Sequence, residues 1–144
     1  MAVMQAAFDP LYGEAWTRSQ VENALLLGGC RTLLIDQHGA EPAESAPAAG
    51  FALLRATLDE EELLLFAIAP RWRRRGLGAR LLARALASAA EAGITRMLLE
   101  MRRGNEAEHL YRAAGFEPIG LRPNYYRTAK GDRLDAITFE RRLD

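Results

Sequence analysis

The sequence is poor in the residues that would indicate a disulfide-bonded, membrane-spanning or strongly charged protein. It has one cysteine, Cys30, so no disulfide can form within the chain, and a reducing compartment is favoured. Its apolar stretches, such as residues 63–70, are far shorter than the roughly 20 residues of a transmembrane helix. No basic start followed by an apolar stretch indicates a secretory signal. We therefore expect a cytoplasmic protein without a membrane partner.

The net charge of the chain does not indicate a particular class of binding partner. Nineteen basic residues balance 19 acidic ones, so the net charge does not favour nucleic acid. Hydrophobic residues make up 49% and charged residues 26% of the 144 residues, a balance typical of a folded protein. This length is enough for one core, and we expect a single domain over residues 1–144.

The pattern of apolar residues, glycines and prolines predicts an α+β fold with one mixed sheet. Helices are predicted at 2–8, about 17–27, 76–92 and about 106–114, and strands at 32–35, 51–58, 63–69, 94–101, 116–121 and 135–141. The acidic residues 59–62 are expected to form a hairpin turn, and residues 39–50 a mobile loop. The helix at 76–92 should join two parallel strands by a right-handed crossover.

The most informative segment is a basic turn that leads into this helix. Residues 69–78 read APRWRRRGLG, so four arginines precede two glycines at the helix start. A ligand's phosphate can approach the backbone N–H groups of Gly76 and Gly78 directly, at the end of the helix where its dipole favours an anion. Arg80 and Arg84, one and two turns further, are expected to add positive charge there. The segment predicts a pyrophosphate site.

Other interpretations of the basic turn exist. A run of arginines is often only the solvated start of a helix. A Walker-type loop would need Gly-Lys-Ser/Thr, and a dinucleotide fingerprint would need glycine in place of Leu81. An RNA-binding helix is disfavoured, because Trp72 is the only aromatic residue among the arginines.

Several motifs, taken together in order, resemble the GNAT superfamily of N-acetyltransferases. Residues 73–78 match its signature R/Q-x-x-G-x-G/A, which cradles the CoA pyrophosphate in that family. The matching pieces around it are FAIAP at 66–70, LLEMR at 98–102, Asn105, and LYRAAGF at 110–116. The likeness covers about residues 50–142. The segments at 121–127 and 135–137 are most similar to the ribosomal-protein-alanine N-acetyltransferases.

This resemblance implies a GNAT fold, in which a single mixed, mostly antiparallel sheet is flanked by helices. Because the chain starts inside what would be the first helix of the family, we expect the first edge strand to be missing. The resemblance also implies acetyl-CoA as co-substrate, with no metal. The residues expected to bind it are Phe66, Ala67, Ile68, Arg73, Arg74, Arg75, Gly76, Leu77, Gly78, Ala79 and Asn105.

Two catalytic residues are carried over from the same family. Glu100 would be the general base for the incoming amine, and Tyr111 the general acid for the departing thiolate. The alternatives are a strand-end glutamate paired with Arg102 or Arg96, and a core tyrosine. Tyr111 follows Asn105 by six positions, one fewer than expected for the ribosomal-protein-alanine enzymes. One residue turns a helix by about 100°, so the loop at 104–107 must compensate if Tyr111 is to reach the sulfur.

Tyr125 and Tyr126 are expected to bind the acceptor, in a polar loop between the last two strands. Exposed tyrosines can form the wall of a groove for a peptide end, although they could equally pack as the base of a hairpin. The expected acceptor is a protein N-terminus, of a ribosomal or other protein. A small amine or amino acid as acceptor, and a CoA-binding regulatory module without turnover, are the alternatives. Either a monomer or a homodimer is compatible with the sequence.

Overall fold

The computed structural model describes residues 18–26, 28–43 and 47–143. Its helices are α1 (Arg18–Leu26), α2 (Leu77–Glu91) and α3 (Glu108–Ala113). Its strands are β1 (Cys30–Ile35), β2 (Gly50–Thr57), β3 (Glu60–Ile68), β4 (Arg96–Arg102), β5 (Glu117–Arg127) and β6 (Arg133–Arg142). The helix predicted at 2–8 and the expected absence of a first edge strand concern residues outside these ranges.

The described strands form one sheet in the order β1-β2-β3-β4-β6-β5. All neighbouring pairs are antiparallel except β3 and β4, which are parallel and joined through α2. This confirms the α+β class, the mixed sheet and the crossover. None of the described helices has the length and apolarity that a membrane span requires.

Helix α2 covers one face of the sheet because its apolar residues recur at helical spacing. Its buried side chains are Leu77, Leu81, Leu82, Ala85 and Ala89. They belong to one core cluster with Met97, Leu99 and Met101 of β4 and with Tyr111 of α3. Strand β4 alternates buried and half-buried residues along its length, so its other side chains project from the opposite face.

The acidic residues predicted to form a hairpin turn belong mostly to a strand. The turn consists of Leu58 and Asp59, and β3 already begins at Glu60. The prediction was wrong because each glutamate of β3 has a cation on another strand. The pairs are Arg96 with Glu60, Arg31 with Glu61, and Arg55 with Glu62.

The pair between Arg31 and Glu61 ties the edge strand β1 to the core. Glu61 is 3% exposed and accepts two hydrogen bonds from Arg31, at 2.7 and 2.9 Å. The same guanidinium donates to Ser88 Oγ and to the Ala85 carbonyl of α2. We expect Arg31→Ala to lower the free energy of unfolding by about 3 kcal/mol, because it leaves a buried carboxylate without its cation.

Urea denaturation measures this loss, with Arg55→Ala as the matched control. Arg55 and Glu62 also pair between strands, but their side chains are 50% and 44% exposed. An exposed pair contributes about 0–1 kcal/mol. Equal losses in the two variants would contradict the prediction.

Strand β5 is longer than predicted and contains the tyrosines expected in a loop. Arg122 of β5 pairs with Ala136, and Tyr126 with Leu134, so three residues of β5 lie opposite the single residue Asp135. The prediction that the two tyrosines lie in a loop between the last two strands was wrong, because this bulge accommodates Pro123, which has no N–H, and Asn124 at φ 57°.

Candidate active site

The site lies where the two parallel strands separate. Within the described chain, β3 pairs with β4 over residues 60–63 and 96–99. Beyond this stretch β3 continues to Ile68 and β4 to Arg102. Phe66, Ala67 and Ile68 are therefore on the free part of β3, and Glu100 is the first residue of β4 after the last pair. The separation leaves a gap in the sheet bordered by predicted site residues from both strands.

The two predicted catalytic residues come from opposite faces of the sheet. Leu99 and Met101 lie in the core on the same side as Tyr111. Glu100 alternates with them along β4, so it projects from the other face. A continuous sheet would separate the two side chains. The gap between β3 and β4 is where groups on both faces can reach one ligand.

Tyr111 is fixed beside the free end of β3. Its ring lies 6.1 Å from that of Phe66 and 6.0 Å from that of Phe116, edge to face in both cases, and the residue is 7% exposed. Asn105 orders the segment ahead of α3 by accepting the Ala107 N–H at 2.9 Å. This loop, with Gly104 at φ 86°, orients α3 so that Tyr111 contacts Phe66.

The start of α2 presents backbone donors ahead of the helix. The first helical hydrogen bond runs from the Arg80 N–H to the Gly76 carbonyl, so the N–H groups of residues 77–79 lie ahead of the helical ladder. Among the residues that the structure describes, no side chain forms a cap hydrogen bond at Gly76, and the first turn contains no acidic residue. Gly76 has φ 77° and open space where a Cβ would stand. These features suit a bound anion.

Gly78 differs from Gly76 because other side chains pack against it. A Cβ on Gly78 would lie 3.2 Å from Leu110 Cδ2 and 3.7 Å from Ile68 Cγ1. Glycine here lets α2 approach both α3 and the end of β3. The first turn of α2 therefore lies against the end of β3 and against α3, close to the residue that precedes Tyr111.

The arginines around this turn have different surroundings. Arg73 donates to the Ile68 carbonyl at 3.1 Å, and the guanidinium groups of Arg71 and Arg75 stack on the Trp72 ring at 4.7 and 5.0 Å. Arg74 is exposed, with φ 62°. The cations of residues 71–75 therefore remain at the α2 start.

Arg80 and Arg84, expected to extend the basic cluster, bind elsewhere. Arg80 donates to the His38 carbonyl at 3.3 Å and Arg84 to the Leu34 carbonyl at 2.9 Å. Both link α2 to β1 and to the turn that follows it. Their guanidinium groups are thus directed towards neutral backbone carbonyls and keep their charge, and the expectation that they add positive charge at the α2 start stays a prediction.

Glu100 pairs with a residue that sequence reasoning did not select. Its Oε2 lies 3.3 Å from Arg122 Nε, and the Thr138 hydroxyl donates to the same oxygen at 3.4 Å. The alternative partners considered from the sequence, Arg96 and Arg102, are near in sequence, whereas Arg122 is two strands away across β6. Only the register of β4 with β6, and of β6 with β5, brings it close.

The bulge in β5 brings the two tyrosines together. Successive residues of a regular strand point to opposite faces, but the rings of Tyr125 and Tyr126 meet edge to face at 5.1 Å. The Asn124 N–H donates to Asp135 Oδ1 at 3.0 Å, which holds the bulge. Arg122 stacks over the Tyr125 ring at 5.3 Å. The predicted acceptor residues are thus connected to Glu100 through Arg122.

Comparison with known proteins identifies the family of this chain. The family model of the acetyltransferase (GNAT) domain matches residues 30–118. The chain is 36% identical over 88 residues to the [ribosomal protein bS18]-alanine N-acetyltransferase of Haemophilus influenzae, covering 61% of this chain and 60% of that protein. It is 37% identical over 95 residues to the protein of that name in Escherichia coli K12, covering 65% and 64% of the two chains. The matches thus span less than two thirds of these relatives.

Solved structures extend the likeness over nearly the whole chain. The ribosomal-protein-S18-alanine N-acetyltransferase from Escherichia coli superposes with a TM-score of 0.81 at 28% identity, covering 99% of this chain and 84% of that one. An IAA acetyltransferase from Bacillus cereus shares the fold, with a TM-score of 0.74 at 17% identity. The family model matches more than half of the sequence, and the superposition on the Escherichia coli enzyme covers 99% of this chain. The chain belongs to the GNAT family of acetyltransferases.

Proposed function

We propose that the protein is an acetyl-CoA-dependent N-acetyltransferase that transfers the acetyl group directly to an amine, and that the amine is the α-amino group of a protein N-terminus. The observation that carries this proposal is the gap between β3 and β4, with Glu100 on one face and Tyr111 on the other. Membership of the GNAT family supports the reaction class. The names of the bacterial relatives support a protein acceptor.

The residues at the start of α2 fit the CoA pyrophosphate. The uncapped N–H groups of residues 77–79, the open approach at Gly76 and the cations of Arg73, Arg74 and Arg75 together favour a group with two negative charges. Phe66, Ala67 and Ile68 would line the path of the pantetheine arm. Asn105 would contact the coenzyme from the α3 side of the gap. Acetyl-CoA supplies an activated thioester, and a related fold from Salmonella typhimurium was solved with acetyl-CoA.

Within this site Glu100 removes a proton from the acceptor ammonium, directly or through water. The amine nitrogen then bonds to the thioester carbonyl carbon, and a backbone N–H near residues 66–68 stabilises the oxyanion. As the C–S bond breaks, the Tyr111 hydroxyl protonates the sulfur, and the nitrogen loses its second proton to water so that a neutral amide forms. The tyrosine then regains its proton from the solvent. Tyr111 has to be protonated to act, as a phenol with a pKa near 10 is at neutral pH. Holding both substrates in the gap contributes through orientation.

Tyr125 and Tyr126 would bind the acceptor beside Glu100. Tyr125 is 51% exposed, so its ring and its hydroxyl are accessible to a peptide that binds at this surface. The bulge holds the two rings at right angles, which suits one wall of a groove. A cytoplasmic location stays a prediction from the sequence.

Thiol release from acetyl-CoA tests the proposal, with a panel of peptides that differ in their first residues and a panel of small amines and amino acids. We expect turnover with peptides that have a free α-amine, and none with the same peptides after N-terminal blocking. If only the small amines are acetylated, the acceptor is a small molecule and not a protein N-terminus. Calorimetric binding of CoA without thiol release for any acceptor would instead indicate a regulatory module.

A further inference from the structure

We propose that Arg122 is a positioning residue for Glu100: its guanidinium holds one carboxylate oxygen so that the other faces the acceptor amine. This inference rests on the proposed role of Glu100 as the base. It concerns a residue that lies on another strand, outside the GNAT signature and outside the predicted site residues.

The contacts of Glu100 are concentrated on one oxygen. Arg122 and Thr138 both approach Oε2, at 3.3 and 3.4 Å, while Oε1 has no hydrogen bond or ion pair from any residue in the described ranges. Two contacts on Oε2 restrict rotation of the carboxylate. The carboxylate is therefore held by one oxygen and can accept a proton on the other.

Arg122 is itself held in place, although its side chain is 62% exposed. It stacks over the Tyr125 ring at 5.3 Å, and the bulge that presents this ring is fixed by Asp135 through the Asn124 N–H. Gly120, two positions before Arg122, lies opposite Thr138 and has no side chain that could block the path of Arg122 across β6. A long exposed arginine without such support would lose its orientation.

A positioning role predicts a specific kinetic pattern. The guanidinium is positively charged and lies near the position that the positively charged acceptor ammonium would occupy. Like charges repel, so removing the guanidinium should not weaken acceptor binding. What is lost is the orientation of Glu100, which matters in the proton-transfer step. The kcat should fall, and the KM for the acceptor should stay constant or decrease.

The test compares Arg122→Ala, Arg122→Lys and the control Arg133→Ala in steady-state kinetics with the best acceptor of the panel. Arg133 is exposed on the same hairpin and lies at the far end of β6 from Thr138. We expect Arg122→Ala to lower kcat about 10- to 100-fold, as a misplaced catalytic group does. Arg122→Lys, which keeps a cation beside Oε2, should recover most of the loss, and Arg133→Ala should equal the wild type.

A double-mutant cycle with Glu100→Gln separates positioning from other roles. If Arg122 acts through Glu100, its removal should have little further effect once Glu100 is replaced. Additive losses, an unchanged kcat in Arg122→Ala, or a raised acceptor KM at constant kcat would each overturn the proposal. If Arg122→Ala unfolds, shown by a lowered Tm, Arg122→Gln replaces it in the cycle, with Arg122→Lys as the variant that keeps the cation. Full activity of Glu100→Gln would instead refute the proposed base, which is a separate result.

Discussion

Glu100→Gln should lower kcat/KM for the acceptor by about 10²–10⁴-fold, the range that a positioned general base contributes. The amide has nearly the same shape as the carboxylate and can still contact Thr138, but it cannot take a proton from an ammonium. The loss should be measured by thiol release at saturating acetyl-CoA. CoA binding should be unchanged in calorimetry, because the residues proposed to bind the pyrophosphate lie at the start of α2 and do not include Glu100.

Raising the pH gives a second test of the same role. An α-amino group loses its proton near pH 7.7–8.0, so at higher pH more of the acceptor arrives already neutral. The activity of Glu100→Gln should continue to rise with pH as this fraction grows, whereas the wild type should gain less. A variant that stays equally inactive across this range would contradict the role of a base.

Glu140 provides the matched control for Glu100. Its side chain is 12% exposed and pairs with Arg142 at 3.0 Å and with Arg96 at 3.7 Å. Glu140 is on β6 and pairs with Leu98 of β4, whereas Thr138, two residues earlier on β6, pairs with Glu100. The side chain of Glu140 is therefore on the same face of the sheet as that of Glu100. Glu140→Gln removes a similar charge from the paired part of the sheet, and its kcat/KM should remain within about twofold of the wild type.

The fold could be predicted from the sequence to the extent that local patterns determine it. Helix α2 has apolar residues at helical spacing and ends near Gly93, so its existence was correctly predicted, and its predicted bounds of 76–92 differ from the observed Leu77–Glu91 by one residue at each end. The acidic run at 59–62 was misassigned because its glutamates are stabilised by arginines up to 36 positions away. Such cross-strand partners have no local signature.

The residues of the candidate site likewise divide into those with a local sequence motif and those without one. Glu100 and Tyr111 were selected from motifs contiguous in sequence, and the structure brings both to the gap between β3 and β4. Arg122 was not selected, because its contact with Glu100 depends on two strand registers and on a bulge. The bulge itself had one sequence signal, Pro123 followed by Asn124, which was interpreted as a loop. Pairing of residues 126–127 with β6 beyond the bulge made it part of a strand.

Tyr111→Phe should lower kcat by about 10²–10⁴-fold while leaving the fold intact. The ring makes the edge-to-face contacts with Phe66 and Phe116, and phenylalanine keeps both. What is removed is the hydroxyl that would protonate the departing sulfur. Thiol release under single-turnover conditions should show the loss in the chemical step, and the Tm should stay within a few degrees of the wild type.

The acidity of the leaving thiol decides whether Tyr111 acts as an acid. A thiol that is a stronger acid than CoA leaves readily as the thiolate and depends less on a proton donor. We therefore expect the loss in Tyr111→Phe to shrink markedly when the donor is an acetyl thioester of an aryl thiol, with each variant compared with the wild type on the same donor. An equal loss with both donors would mean that the hydroxyl orients a substrate and does not protonate the sulfur. The reaction could then still take place in the gap, but the proton for the departing sulfur would have to come from another group or from water.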